Sequence, residues 1–104
     1  MTIQQRIDGK IRSVFAPQVC ELINESRNHG VPPGSETHFK LLVVSKTFEG
    51  KTLVDRHRLI YGLLEPEMKG GVHALALQAY TPDEWLAYQT NRKSPPCLGG
   101  SKNG

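Results

Sequence analysis

The sequence is short of several things, and each shortage removes a class of protein. It has two cysteines, Cys20 and Cys97, in 104 residues, too few for a disulfide framework. No apolar run approaches the roughly 20 residues that a spanning helix needs, so no membrane role is expected. The first fifteen residues alternate apolar with polar and charged side chains and contain no continuous apolar stretch, which does not read as a secretory signal. That stretch carries Asp8 and little serine, which argues against a mitochondrial presequence. The expected location is cytoplasmic, or mitochondrial for a processed eukaryotic form. G-x-S-x-G, H-E-x-x-H, C-x-x-C and a Walker loop are all absent. No nucleophile-base-orienter set stands out, and the expectation is a protein that is not an enzyme.

What is present suffices for one small domain. Hydrophobic residues make up 38% and charged residues 22%, a balance that suits a modest folded core rather than a disordered chain. The formal charge of +3 invites a nucleic-acid reading, but its distribution undercuts that. Residues 1–88 carry ten Lys/Arg and ten Asp/Glu, whereas the last sixteen residues carry Arg92, Lys93 and Lys102 and no acid. The body is neutral and the tail is basic. After Gln89 the composition turns to Asn, Ser, Pro, Gly and Lys. Residues 89–104 are therefore expected to be a disordered tail behind a domain at 1–88.

Periodicity gives the elements. Ile3, Ile7, Ile11, Val14 and Phe15 recur at helical spacing up to Ala16-Pro17. A short strand over 19–25 follows, then a Ser/Asn/Gly/Pro-dense loop over 26–37. Phe39 to Val44 is the strongest strand pattern and is expected at the centre of the sheet. A second helix is expected over 52–68, burying Leu53, Leu59, Ile60, Leu63 and Leu64, with Pro66 kinking or stopping it. A third strand over 72–80 would place His73, Leu75, Leu77 and Ala79 on one face. Thr81-Pro82-Asp83-Glu84 is a helix start, with Thr as N-cap and Glu three residues later. The third helix is expected to bury Trp85. The order α-β-β-α-β-α implies a three-stranded mixed sheet: strands one and two antiparallel, strands two and three parallel across the helical crossover, with the helices on one face.

Four histidines could carry chemistry. His29 sits in the long loop, where a solvated imidazole is the ordinary reading and a metal ligand on a loop the functional one. His38 opens the central strand and reads as a packing residue or a partner contact. His57 lies between Arg56 and Arg58, either as a structural histidine or as part of a patch for phosphate or a partner. His73 stands at the mouth of the third strand after Gly70-Gly71. Spacing alone does not make it a ligand, because His29 and His73 fit no zinc-finger pattern. Two histidines would make an incomplete site whose remaining ligands come from a partner. Cys20 reads as a small buried residue and Cys97 as a bystander thiol.

Lys46, Lys51, Arg56 and Arg58 form a basic cluster broken by Glu49 and Asp55. A solvated helix face explains it in the ordinary case. In the functional case Lys51, Arg56 and Arg58 contact phosphates. The element order is close to that of KH-type RNA and single-stranded DNA binders, but their G-x-x-G clamp is missing.

One resemblance goes further than spacing. Asn24-Glu25-Ser26 with His29 and Val31 to Lys40, Phe48-Glu49-Gly50, Arg56 to Tyr61, Val72 to Leu77, Thr81 to Trp85 and Ser94 to Cys97 together resemble the BolA family over nearly the whole chain. Pro66 departs from the family's usual helix end. The resemblance implies a class II KH-like α+β fold, which agrees with the derived order and with the missing G-x-x-G. It also implies two roles. In one, the protein is a monomer alone and pairs with a monothiol glutaredoxin to share a [2Fe-2S] cluster. The glutaredoxin supplies a thiolate, its bound glutathione supplies another, and the positions matching His73 and His29 supply the remaining ligands. In the other, it is a DNA-binding transcriptional regulator of stress response, cell shape and biofilm. Histidine can replace thiolate on one iron of such a cluster and raises its potential. A neutral body suits protein-protein contact.

Overall fold

The computed structural model describes residues 2–26 and 35–93. The elements run α1 Ile3–Phe15, β1 Val19–Asn24, β2 His38–Val44, a 3-10 turn Lys46–Phe48, α2 Leu53–Leu63, α3 Glu65–Lys69, β3 Ala74–Tyr80 and α4 Pro82–Lys93. The sheet order is β1-β2-β3. β1 and β2 pair antiparallel from Val19 opposite Val44 to Asn24 opposite Phe39. β2 and β3 pair parallel from His38 opposite Ala74 to Val44 opposite Tyr80. The mixed three-stranded sheet and its central β2 follow the pattern of apolar runs.

Local chemistry sets the boundaries. α1 opens on a capping box: Thr2 accepts from the Gln5 amide, and the Gln5 side chain accepts from the Thr2 amide. It closes on Ala16, whose φ of 43° is left-handed. The buried Ser45 hydroxyl donates to the Phe15 carbonyl at 2.6 Å, which satisfies a helix-end acceptor and ties α1 to the end of β2. Pro66 divides the expected 52–68 helix. It lacks the amide that would continue the α2 ladder, and it sits in the first turn of α3, where none is needed.

The core joins Ile7, Ile11 and Phe15 of α1 to Phe39, Leu41 and Val43 of β2, Ile60 and Leu64 around α2, and Val72, Leu75 and Ala79 around β3. Phe48 completes it against Phe15, with ring centroids 5.2 Å apart. Leu53 and Leu59, expected inside, are 62% and 43% exposed. The inward row of α2 is instead Arg56 and Ile60, four residues apart, and Leu59 falls one residue behind it. His73 also leaves the expected face: Val72 is buried, and the strand proper begins at Ala74.

Two further expectations change. Strand parity places Glu21, Ile23, Lys40, Leu42 and Gln78 on the face away from the core. These residues line one groove with Trp85, Tyr88 and Gln89 of α4. The helices are therefore not all on one face, because α4 lies against the reverse side. Helix also continues through Lys93, beyond the expected limit at residue 88. Mutual contacts of Tyr80, Trp85 and Tyr88, with centroids 5.6–5.7 Å apart, hold its first half. The Thr90 hydroxyl donates to the Leu86 carbonyl one turn back. Trp85 is half-buried and Tyr88 is 39% exposed.

Helix side chains cover carbonyls of both edge strands. Gln4 and Arg12 donate to Leu22 and Cys20 of β1. Tyr61 and Arg56 donate to Leu75 and Ala79 of β3. Such capping blunts edges that could otherwise recruit a foreign strand.

Candidate functional site

The parallel pairing of β2 and β3 brings their first residues together. The Thr37 carbonyl accepts two amides, from His73 at 2.7 Å and from Ala74 at 3.1 Å. His73 is thereby fixed by its backbone while its side chain is exposed. The His38 ring lies edge-on to that of His73, with centroids 6.0 Å apart. His38 Nδ1 is 2.8 Å from the Thr37 hydroxyl. The sheet mouth thus holds two imidazoles: His38 is half-buried and engaged, and His73 faces solvent.

A polar clasp lies behind them. The buried Ser26 hydroxyl accepts from the amides of Thr37 at 2.9 Å and His38 at 3.2 Å. Asn24 accepts from the Ser26 amide and donates to the Ser35 carbonyl, both at 2.9 Å. Glu36 reaches the other way, accepting from the amides of Ile3 and Gln4 at the start of α1, where the helix dipole favours a carboxylate. The sequence reading missed this set. The only hint was the clustering of Asn, Ser and Thr on both sides of the loop.

His29 and Cys97 lie outside the described residues. Among the described residues, no group of three or more His, Cys, Asp or Glu could hold a metal ion. One exposed imidazole fits a single ligand position in a site completed from elsewhere; it does not fit a self-contained centre. Cys20 adds nothing to it. The thiol is half-buried beside α1, and burial pushes its pKa up, away from the reactive thiolate.

The basic cluster splits. Lys46, Lys51 and Arg58 are exposed, with Lys51 and Arg58 around one shallow pocket with Asp55 and Leu59. Arg56, expected to contact phosphate, is buried instead. Its guanidinium binds both Glu84 oxygens and the carbonyls of Lys51 and Ala79, and it lies 6.0 Å over the Phe48 ring. An arginine with its donors occupied in this way holds α2 to α4 and is not available to a ligand. His57 is half-buried on α2.

Comparison with known proteins agrees over most of the chain. The family model for BolA, described as BolA-like protein, matches residues 11–84. BolA-like protein 1 of Pongo abelii is 51% identical over 100 residues, covering 96% of this chain and 73% of that protein. The DNA-binding transcriptional regulator BolA of Escherichia coli (strain K12) is 48% identical over 100 residues, covering 95% of each. The solution structure of BolA1 from Mus musculus superposes with a TM-score of 0.77 at 47% identity, covering 95% of this chain and 80% of that one.

Proposed function

The chain belongs to the BolA family, and from that premise we propose that it is a non-enzymatic adaptor in iron-sulfur handling that completes a [2Fe-2S] site with a monothiol glutaredoxin. The observation that carries this reading is His73: an exposed imidazole on a backbone fixed twice by the Thr37 carbonyl, with no complete ligand set among the described residues. A ligand presented this way is ready for a partner and of little use alone.

In this reading His73 and His29 would supply the imidazole side, and the glutaredoxin with its glutathione would supply the thiolates. When bound, such a cluster accepts and returns one electron at a potential that imidazole ligation raises. The chain's own task is to hold the His73 imidazole at the rim of the sheet, on a backbone fixed by the Thr37 carbonyl. His38 and His57 remain structural or partner-contact residues. The protein is a monomer alone and a heterodimer with its partner.

The test is a titration of glutathione-loaded monothiol glutaredoxin with this protein, followed by visible circular dichroism. A new cluster spectrum for the wild type, lost in His73→Ala and altered in His29→Ala, supports the proposal. An unchanged spectrum in His73→Ala overturns the ligand assignment.

A second reading is DNA binding. It is favoured by the similarity to the Escherichia coli regulator and by exposed Lys51 and Arg58 near the start of α2. It requires contacts other than Arg56. Binding that is absent even at low salt would remove it.

A further inference from the structure

We infer that Ser26 is the positioning residue of the His73 site, acting through Thr37; the inference rests on the reading of His73 as a cluster ligand. Ser26 is 3% exposed and lies far from His73 in sequence. Its hydroxyl oxygen accepts two consecutive amides, those of Thr37 and His38. A hydroxyl oxygen has two acceptor positions, and this one uses both. The same Thr37 turns its carbonyl toward His73 and Ala74 and takes both of their amides. The path from Ser26 to the candidate ligand therefore passes through a single peptide segment, with hydrogen bonds at each end.

The rest of the clasp fixes Ser26 itself. Asn24 Oδ1 accepts the Ser26 amide, and Asn24 Nδ2 donates to the Ser35 carbonyl. Asn24 thus ties Ser26, behind β1, to Ser35, ahead of β2. Thr37 cannot tilt without stretching its bond to Ser26 or its bonds to His73 and Ala74. Ligand imidazoles are oriented by such supporting hydrogen bonds, and their loss is felt in the metal site without any change of ligand. Here the support reaches the ligand's backbone rather than its ring nitrogen. The His73 side chain is exposed, and beside this backbone support it meets the His38 ring edge-on, with centroids 6.0 Å apart.

The experiment compares the full chain as wild type, Ser26→Ala, Ser26→Thr and a core control, Ile11→Val. Amide hydrogen exchange by NMR is read at Thr37, His38, His73 and Ala74 against Leu41 and Val43 in the middle of β2. Ser26→Ala is expected to accelerate exchange at His73 and Ala74 at least tenfold relative to Leu41 and Val43. Ser26→Thr keeps the oxygen and restores slow exchange. Ile11→Val lowers the melting temperature without that selective acceleration. In the glutaredoxin heterodimer, Ser26→Ala shifts the visible dichroism of the cluster, and Ser26→Thr returns it to the wild-type form. Unchanged relative exchange at His73 and Ala74 in Ser26→Ala overturns the inference, as does equal acceleration in the core control. If the wild type forms no cluster, the cluster reading has failed, and the exchange comparison still decides whether Ser26 positions His73.

Discussion

Arg56 and Glu84 meet at two points, Nη1 to Oε1 at 2.6 Å and Nη2 to Oε2 at 2.9 Å, and this contact joins α2 to α4. Glu84 also accepts the Thr81 amide, and the Thr81 hydroxyl accepts the Glu84 amide, so one carboxylate closes the α4 capping box and holds the helix to the body. Arg56 is nearly buried, while the Glu84 side chain is about half exposed (46%). Solvent screening therefore reduces the effect below that of a fully buried pair.

Glu84→Gln leaves the guanidinium facing a neutral amide. Breaking a buried pair costs about 3–5 kcal/mol, and the exposed side of this one lowers the expectation to about 1–3 kcal/mol. Arg56→Lys should not rescue the wild-type level, because an ammonium cannot make the two-point contact and still reach the Lys51 and Ala79 carbonyls. Urea denaturation of the three proteins measures both effects. A loss in Glu84→Gln no larger than that of an exposed surface substitution would show that α4 is held by its aromatic contacts alone.

Acid should weaken the fold through two carboxylates. Burial tends to raise the Glu67 pKa, but the Lys10 hydrogen bond, a backbone bond and the charges of Lys10 and Arg6 outweigh it, and the net shift is downward. Lys10 Nζ donates to Oε1 at 2.9 Å, and Arg6 stands 3.1 Å from Oε2 without a hydrogen bond. Glu84 is also lowered, chiefly by the Arg56 hydrogen bond. A carboxylate with a depressed folded pKa contributes stability that is complete above the unfolded value, near 4.5. That stability is lost as pH falls through the lower folded value. The unfolding free energy should therefore be flat in these two groups above about pH 6 and fall below the ordinary carboxylate range. Glu67→Gln should be less stable at neutral pH and less acid-sensitive. A mutant as acid-sensitive as the wild type would show that other groups govern the transition.

Much of the fold can be read along the chain because its signals are local. The i, i+4 row of Ile7, Ile11 and Phe15, the apolar run Phe39–Val44 and the Thr81–Glu84 cap each lie within one element, and each appears in the structure. Errors arose where a distant partner decides the outcome. Arg56 takes an inward position that an apolar residue would normally fill, because Glu84 and the Ala79 carbonyl await it. α4 crosses to the reverse face because Tyr80 packs against Trp85 and stacks on Tyr88, which strand periodicity does not encode. At the candidate site, His73 stood out through family resemblance. Ser26 did not, because its importance lies in amides eleven and twelve residues away.

Replacing His73 should separate function from stability. The side chain is exposed, and the bonds fixing this segment come from the backbone. His73→Ala should keep the wild-type unfolding free energy within about 0.5 kcal/mol while losing the cluster spectrum in the glutaredoxin heterodimer. A parallel loss of stability of about 2 kcal/mol or more would instead make His73 a structural partner of His38.

The exposed cations can be tested independently of any cluster. Each lysine or arginine that neutralises a phosphate contributes about −0.9 to the slope of log affinity against log salt on duplex DNA. If the start of α2 touches DNA, Lys51→Ala and Arg58→Ala should each make that slope shallower by about one, with similar losses across sequences. Arg56→Ala acts differently: its guanidinium is buried and bound to Glu84. Any loss of DNA affinity there should follow the loss of folding stability and leave the slope unchanged under conditions where the variant is folded. Fluorescence anisotropy of a labelled duplex from 50 to 200 mM salt, with the three variants side by side, measures these slopes. Wild-type slopes in both Lys51→Ala and Arg58→Ala would move any DNA contact away from α2.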